Sequence, residues 1–216
     1  MHYRAVIFDL DGTLLNTLED LADAVNHVLR ERHFPLRSLE EIRTFVGNGV
    51  GLLMRRALPE GTEEAVFSGC LRDFKDYYAA HMEEKTAPYE GILPLLDRLK
   101  ADGCRLAVVS NKFDGAVQGL CRRYFGERLD AAAGETEARR KKPAPDTVWY
   151  VAELLGVRPE ECVYVGDSDV DIETAAASRM PCISVSWGFR TRQQLTEAGA
   201  ARIAATPEEL YRLLSL

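Results

Sequence analysis

Tyr3-Arg4-Ala5-Val6-Ile7-Phe8-Asp9-Leu10-Asp11-Gly12-Thr13-Leu14 begins as an almost unbroken apolar run and then presents two carboxylates two residues apart. A short run that is apolar on both faces, without alternation, is the pattern of a strand buried inside a parallel sheet. Residues two apart on a strand point the same way, so Asp9 and Asp11 are expected on one face with Leu10 turned inward. Two neighbouring carboxylates repel unless a cation lies between them or one keeps its proton, which is the physics of a metal site or an acid/base pair. Gly12 allows a sharp turn, and Gly12 with Thr13 is expected to leave amide hydrogens facing an anion. Asp and Gly are also ordinary turn residues, so a solvated strand-end turn is the competing reading of this segment taken alone.

Further along, Arg105–Ser110, Leu129–Ala133, Glu161–Gly166 and Cys182–Ser186 read as strands, each flanked by an amphipathic segment. Strands alternating with helices predict an α/β fold: a doubly wound, Rossmann-like parallel sheet that binds ligands at the carboxyl ends of its strands. Between the first strand and Leu93–Lys100 nothing reads as a strand. Leu18, Leu21, Ala22, Val25, Val28 and Leu29 recur at helical spacing, as do Val50, Leu53, Met54 and Ala57, and then Val66, Cys70, Phe74 and Tyr77. Pro35 and Leu58-Pro59-Glu60-Gly61 punctuate them. Residues 16–85 are therefore expected to form an inserted α-helical cap, and 1–15 with 86–216 the α/β core.

Three more polar groups are expected to converge with this segment at the strand ends. Ser110 and Asn111 follow Leu106-Ala107-Val108-Val109 and offer a hydroxyl and an amide to a phosphoryl or carboxylate oxygen, although Ser-Asn is also turn chemistry. Lys142 precedes Pro143, which restricts the backbone there, before Asp146 opens a helix; a solvated lysine in the basic run Arg139–Lys142 is the alternative. Gly166-Asp167-Ser168-Asp169-Val170-Asp171 follows Val163-Tyr164-Val165, and a helix beginning at Ser168 brings Asp171 one turn beyond Asp167. An N-cap and an acidic first turn account for one of these aspartates more readily than for three.

Taken in order, these pieces resemble the haloacid dehalogenase-type superfamily of phosphohydrolases. The motifs DxDGTL, a strand ending in Ser or Thr, Lys before Pro, and GDSxxD stand here as Asp9–Leu14, Ser110, Lys142-Pro143 and Gly166–Asp171. An insert directly after the first motif is similar to the subfamily with an α-helical cap. Asn16–Leu21 and Phe45–Val50 resemble the corresponding segments of bacterial phosphoglycolate phosphatases. The resemblance implies Asp9 as nucleophile through an aspartyl phosphate and Asp11 as general acid and base. It implies Mg2+ held by Asp9, the Asp11 carbonyl, Asp167 and Asp171, the last directly or through water. Lys142 would then offset the repulsion between anionic nucleophile and anionic substrate, and Ser110 with the Gly12 and Thr13 amides would hold the transferring oxygens. The implied substrate is a small phosphorylated metabolite, 2-phosphoglycolate first.

Within the expected cap, Gly47-Asn48-Gly49-Val50-Gly51 fails as a dinucleotide loop, since no strand precedes it and the third glycine is one position early. Gly47 and Asn48 are read instead as part of a loop between cap helices, where the resemblance implies substrate-selecting residues; Arg55 and Arg56 on the next helix are candidates to meet a substrate carboxylate, with a solvated face the competing reading for at least one of them. Sugar-phosphate mutases of the same type carry an arginine near the place of Val50 and Glu-Asp at the place of Gly166-Asp167; both departures favour hydrolysis. A phosphatase for a sugar phosphate or pyrophosphate, a phosphomutase, and a non-catalytic binding protein are the alternatives.

Composition sets the remaining bounds. The 216 residues are 46% hydrophobic, enough for a packed core, and a net charge of -7 with no basic run longer than Arg139–Lys142 argues against nucleic acid or an anionic membrane as partner. Cys70, Cys104, Cys121, Cys162 and Cys182 are odd in number and lack CxxC spacing, which fits reduced core thiols in a cytoplasmic protein. No leader precedes the first strand and no stretch is long enough to span a bilayer, so a soluble monomer or homodimer is expected. His2, His27, His33 and His81 show no metal-ligand spacing, and Tyr77 and Tyr78 are read as packing residues.

Overall fold

The computed structural model describes residues 3–215; His2 lies outside them. The chain divides into two compact units, Met1–Leu15 with Pro88–Leu216, and Asn16–Ala87.

In chain order the first unit opens with β1 (Ala5–Phe8), and β2 (Leu15–Asn16) leads out of it. The helical unit holds α1 (Leu18–Glu31), α2 (Leu39–Phe45), α3 (Val50–Ala57) and α4 (Glu64–His81), and the chain returns through β3 (Ala87–Pro88). Then follow α5 (Ile92–Ala101), β4 (Arg105–Phe113), α6 (Asp114–Tyr124), β5 (Ala131–Glu135), α7 (Asp146–Leu155), β6 (Cys162–Gly166) and α8 (Asp169–Ser178). The chain ends with β7 (Cys182–Val185), α9 (Arg192–Glu197), β8 (Ile203–Ala204) and α10 (Pro207–Ser215).

Six strands form one sheet in the order β5-β4-β1-β6-β7-β8, and every pair is parallel. This is the doubly wound order, with the direction of winding reversing at β1, and open sheets of this kind bind ligands at that reversal. The register decides which residues meet there. Phe8 pairs with Val108 on one side and Val165 on the other, and the Asp9 amide donates to the Val165 carbonyl at 2.8 Å. Asp9, Ser110 and Asp167 thus stand one or two residues beyond the same rung. All four residues of β1 are fully buried, as a central strand covered on both faces requires. Ile7, Val109 and Tyr164 pack with Val148, Val151 and Leu155 of α7 in the core on one face.

The expected strands are present with shifted ends. β4 continues past Ser110 to Phe113 through a register irregularity between Val109 and Phe113. β8 and the β2/β3 pair are two residues long, too short to carry a periodic signal.

In the helical unit, α1 buries Leu18, Leu21, Ala22, Val25, Val28 and Leu29, the expected stripe. Asp20, buried on the same helix, accepts hydrogen bonds from the Lys85 and Thr86 amides at 3.0 and 2.9 Å, tying the returning segment to α1. α2, which the sequence reading did not separate, starts at a Ser38–Glu41 capping box. On α4 the buried stripe is Phe67, Cys70, Phe74 and Tyr78, a step from the expected Val66 and Tyr77. Tyr77 lies instead between the His27 and His81 rings, stacked 3.9 Å from each.

Candidate active site

Where the chain leaves β1 and β6, Asp9, Asp167 and Asp171 bring carboxylate oxygens within 4.8 Å of one another, all three buried. Asp167 leaves the end of β6, and Asp171 sits on the first turn of α8, whose N-cap is Ser168. The Asp171 carboxylate closes that cap, taking the Ser168 amide at 3.1 Å and the Ser168 hydroxyl at 2.6 Å. Asp167 accepts the Thr13 hydroxyl at 2.9 Å and the Phe189 amide at 2.7 Å. A side chain at Gly12, whose φ is +89°, would collide with the Asp167 carboxylate; one at Gly188 would collide with both Asp167 and the Gly12 carbonyl. The glycines let two loops close on one acid.

The Lys142 ammonium lies 2.9 Å from Asp9 and 2.8 Å from Asp171 and donates to the Tyr164 hydroxyl at 3.1 Å. Its backbone is held in turn: the Lys142 amide donates to the Asn111 side-chain oxygen at 2.8 Å and the Asn111 side-chain nitrogen to the Lys142 carbonyl at 3.1 Å. Asn111, read from the sequence as a substrate donor, is thus directed at the lysine. Burial opposes the charge on Lys142, but Asp171 and Asp9 outweigh it and hold its pKa well above the usual lysine value. Burial raises Asp9 well above the carboxylate range, with Asp171 and Asp167 adding to the shift and Lys142 opposing it. Burial and the Asp171 charge raise Asp167 to about 7, against the hydrogen bonds from Phe189 and Thr13.

Burial and mutual repulsion act together here: three carboxylates face one buried ammonium, and the Arg190 charge, which lowers Asp167, offsets them only in part. The donor set is all oxygen, the preference of a hard divalent cation, which would relieve that repulsion. Asp9, Asp167 and Asp171 therefore fit a divalent metal ion.

Asp11 departs from the expected shared face. The ladder ends at Phe8, and the Leu10 carbonyl accepts from the Thr13, Leu14 and Leu15 amides at 3.3, 3.0 and 3.0 Å, so the chain has already turned. Asp9 reaches Lys142, whereas both Asp11 oxygens take the Lys112 ammonium, at 2.9 and 3.0 Å. The repulsion between the two acids is answered by a lysine for each. The same turn corrects the reading of the amides: Gly12 donates to Leu15 at 2.8 Å and Thr13 to Leu10, so neither stands ready for an anion. Ser110 is buried within β4, ahead of the end of the strand, and accepts the Lys112 amide at 3.2 Å.

The sequence reading missed Lys112, Tyr164 and the loop Trp187–Phe189. Lys112 had a usable signal, since it follows Ser110 at same-face spacing. Tyr164 was hidden in an apolar run. Trp187, which donates to the Thr13 carbonyl at 3.0 Å, had no signal beyond its place after a strand.

The remaining expected site residues belong to the helical unit. Gly47 and Asn48 lie half-buried between α2 and α3. Arg55 pairs with Glu64 at 2.7 Å and lies over the Phe67 ring, and Arg56 donates to the Phe45 carbonyl at 2.8 Å. Both guanidinium groups have partners within that unit.

A doubly wound sheet, an acid cluster at its reversal point and a helical insert after the first strand place the chain in a known class. It belongs to the haloacid dehalogenase-like hydrolase family, whose model matches residues 6–185. Among its relatives, it is 35% identical over 192 residues to the phosphoglycolate phosphatase of Pseudomonas putida, covering 86% of this chain and 70% of that protein. It is 34% identical over 203 residues to the phosphoglycolate phosphatase of Thiobacillus denitrificans, covering 90% and 88%. The crystal structure of a candidate phosphoglycolate phosphatase from Lactobacillus delbrueckii subsp. bulgaricus is similar over 99% of both chains, with a TM-score of 0.94 and 38% identity.

Proposed function

We propose that this protein is a Mg2+-dependent phosphatase of small phosphate monoesters, 2-phosphoglycolate first among them, working through an aspartyl phosphate on Asp9. The observation that carries the proposal is the buried Asp9–Asp167–Asp171 cluster with Lys142 at the sheet's reversal point. The activity for which the Pseudomonas and Thiobacillus relatives are named supports the substrate.

Asp9 attacks phosphorus, the bond from phosphorus to the ester oxygen breaks, and Asp11 gives that oxygen its proton. Water then attacks the phosphorus of the aspartyl phosphate, Asp11 takes the water's proton, and inorganic phosphate leaves with Asp9 restored. Lys142 offsets the repulsion between an anionic nucleophile and an anionic substrate, and the Ser110 hydroxyl donates to a transferring oxygen. Tyr164 and Asn111 keep Lys142 in place. A divalent ion held by Asp9, Asp167 and Asp171, with the Asp11 carbonyl, would neutralise charge on the phosphoryl oxygens.

Phosphate release from 2-phosphoglycolate, glucose phosphates and pyrophosphate, with Mg2+ and with a chelator, tests this reading. The expected result is Mg2+-dependent release with kcat/KM highest for 2-phosphoglycolate, each roughly tenfold preference corresponding to about 1.4 kcal/mol of transition-state binding. Similar low rates on every ester would overturn the substrate. No metal-dependent release would overturn the chemistry.

A further inference from the structure

Lys112 and Asp11 form a second ion pair beside the Lys142 cluster, and neither Lys142 nor the three clustered aspartates depends on it. Lys112 is the third residue of Ser110-Asn111-Lys112, and its side chain is 2% exposed while that of Asp11 is 14% exposed. One ammonium holds both oxygens of one carboxylate, 2.9 and 3.0 Å away. Its backbone is tied on the same strand, with its amide on the Ser110 hydroxyl. A buried lysine is expensive to keep charged, and its conformational freedom is lost in this position, so an exposed pair would have been the simpler way to satisfy a turn aspartate. The pair also joins two neighbouring strands: Asp11 follows β1, and Lys112 lies near the end of β4. Asp11 stands in a turn rather than on a strand, and Lys112 holds its carboxylate from a rigid element.

We infer that Lys112 is the positioning residue for Asp11: it fixes where the carboxylate stands relative to Asp9, so that both proton transfers assigned to Asp11 occur at a set distance. The inference rests on the proposed role of Asp11 and deepens it. Lys112 acts through Asp11 and does not touch the phosphoryl group, which is the task of Lys142 and Ser110.

This division of labour predicts a dependence on the leaving group. An alkyl ester such as 2-phosphoglycolate needs a proton on its departing oxygen, whereas p-nitrophenolate leaves without one. In the Mg2+-loaded full-length enzyme, Lys112→Met is expected to lower kcat/KM for 2-phosphoglycolate by roughly a hundredfold, the lower range for general acid–base catalysis. For p-nitrophenyl phosphate kcat/KM should stay near the wild-type value, while kcat falls for both esters because the second step still needs a base. Asp11→Asn should show the same pattern, and adding Lys112→Met to it should cause no further loss, since groups acting as one unit are non-additive. Lys112→Arg, which keeps the charge, should recover part of the 2-phosphoglycolate activity and serves as the second variant if Lys112→Met does not fold.

Equal losses in kcat/KM on both esters would overturn the inference in favour of phosphoryl binding or a purely structural role. Additive losses in the double variant would overturn it by showing that Lys112 acts apart from Asp11. If Asp11→Asn itself shows no leaving-group dependence, the proposed role of Asp11 fails, and the double variant still decides whether the two residues work as one.

Discussion

Tyr164 shows how one hydroxyl in an apolar strand can matter to charge chemistry. Its oxygen accepts from the Lys142 ammonium at 3.1 Å and its proton is directed at the Val109 carbonyl at 3.3 Å. Burial holds its pKa well above the usual tyrosine value, with Asp171 and Asp9 adding and Lys142 opposing, so the group remains a neutral phenol. Tyr164→Phe leaves Lys142 one acceptor short in a dry site, a loss of about 1–3 kcal/mol. If Lys142 works mainly on the transition state, that loss appears as a fall in kcat with KM little changed, which steady-state kinetics on 2-phosphoglycolate would show. An unchanged kcat would remove Tyr164 from the machinery. Which residues the sequence revealed follows from the same physics. Asp9, Lys142 and Asp167 stand beside strand ends or prolines that mark them as exceptional, while Tyr164 takes its role from a residue that is distant in sequence and brought near by the fold. Asn111 was visible, but only the fold shows that its amide is directed at Lys142. The free amides expected at Gly12 and Thr13 failed because a turn's internal hydrogen bonds cannot be read from its composition.

At the scale of elements, the entry to β6 carries a built-in pH dependence. A 3-10 turn, Pro159–Glu161, precedes the strand, and Glu161 accepts from the Arg158 amide at 2.9 Å and from Arg4 at 3.1 Å. These partners, the Arg158 amide foremost, hold the Glu161 carboxyl down to about 2. A carboxylate held below its unfolded value stabilises the fold above that unfolded value, and the contribution fades as pH falls toward the folded one. Glu161→Gln should therefore unfold at a lower temperature than wild type at neutral pH, with the gap closing between about 4.5 and about 2. Thermal unfolding of both proteins across that range checks this, and a gap independent of pH would contradict it. The elements legible in the sequence were those long enough to show a period. α1 matched its stripe residue by residue, whereas on α4 the buried stripe runs through Phe67 and Tyr78 because the helix turns its face against α1 by packing, not by hydrophobicity alone.

For the molecule as a whole, the sheet order delivers Asp9 and Asp167 from neighbouring strands and Asp171 from the helix that follows, and a divalent ion held by the cluster they form would add to the stability of the fold. A ligand that binds only the folded state, at a hundredfold excess over its dissociation constant, stabilises by about 2.7 kcal/mol, and for a chain of this size each kcal/mol raises Tm by roughly 2–4 °C. Adding Mg2+ to the metal-free protein should raise Tm by several degrees, and Asp167→Asn should abolish most of that rise. A Tm indifferent to Mg2+ would argue against the metal site independently of any activity. Among the described residues no helix is long and apolar enough to cross a membrane. The alternation of strands and helices was plain in the sequence, but the position of β1 at the reversal point emerges only from strand pairing.

Phosphorylation of Asp9 during turnover is the step on which the proposed chemistry stands. Rapid acid quench of the Mg2+-loaded enzyme in its first turnover of 2-phosphoglycolate, followed by peptide mapping by mass spectrometry, addresses it directly. The expected result is a base-labile phosphoryl group on the peptide containing Asp9, absent in Asp9→Asn, which should also release no phosphate. Phosphate release at the wild-type rate with no phosphoryl group on Asp9, or with substantial activity remaining in Asp9→Asn, would contradict the account.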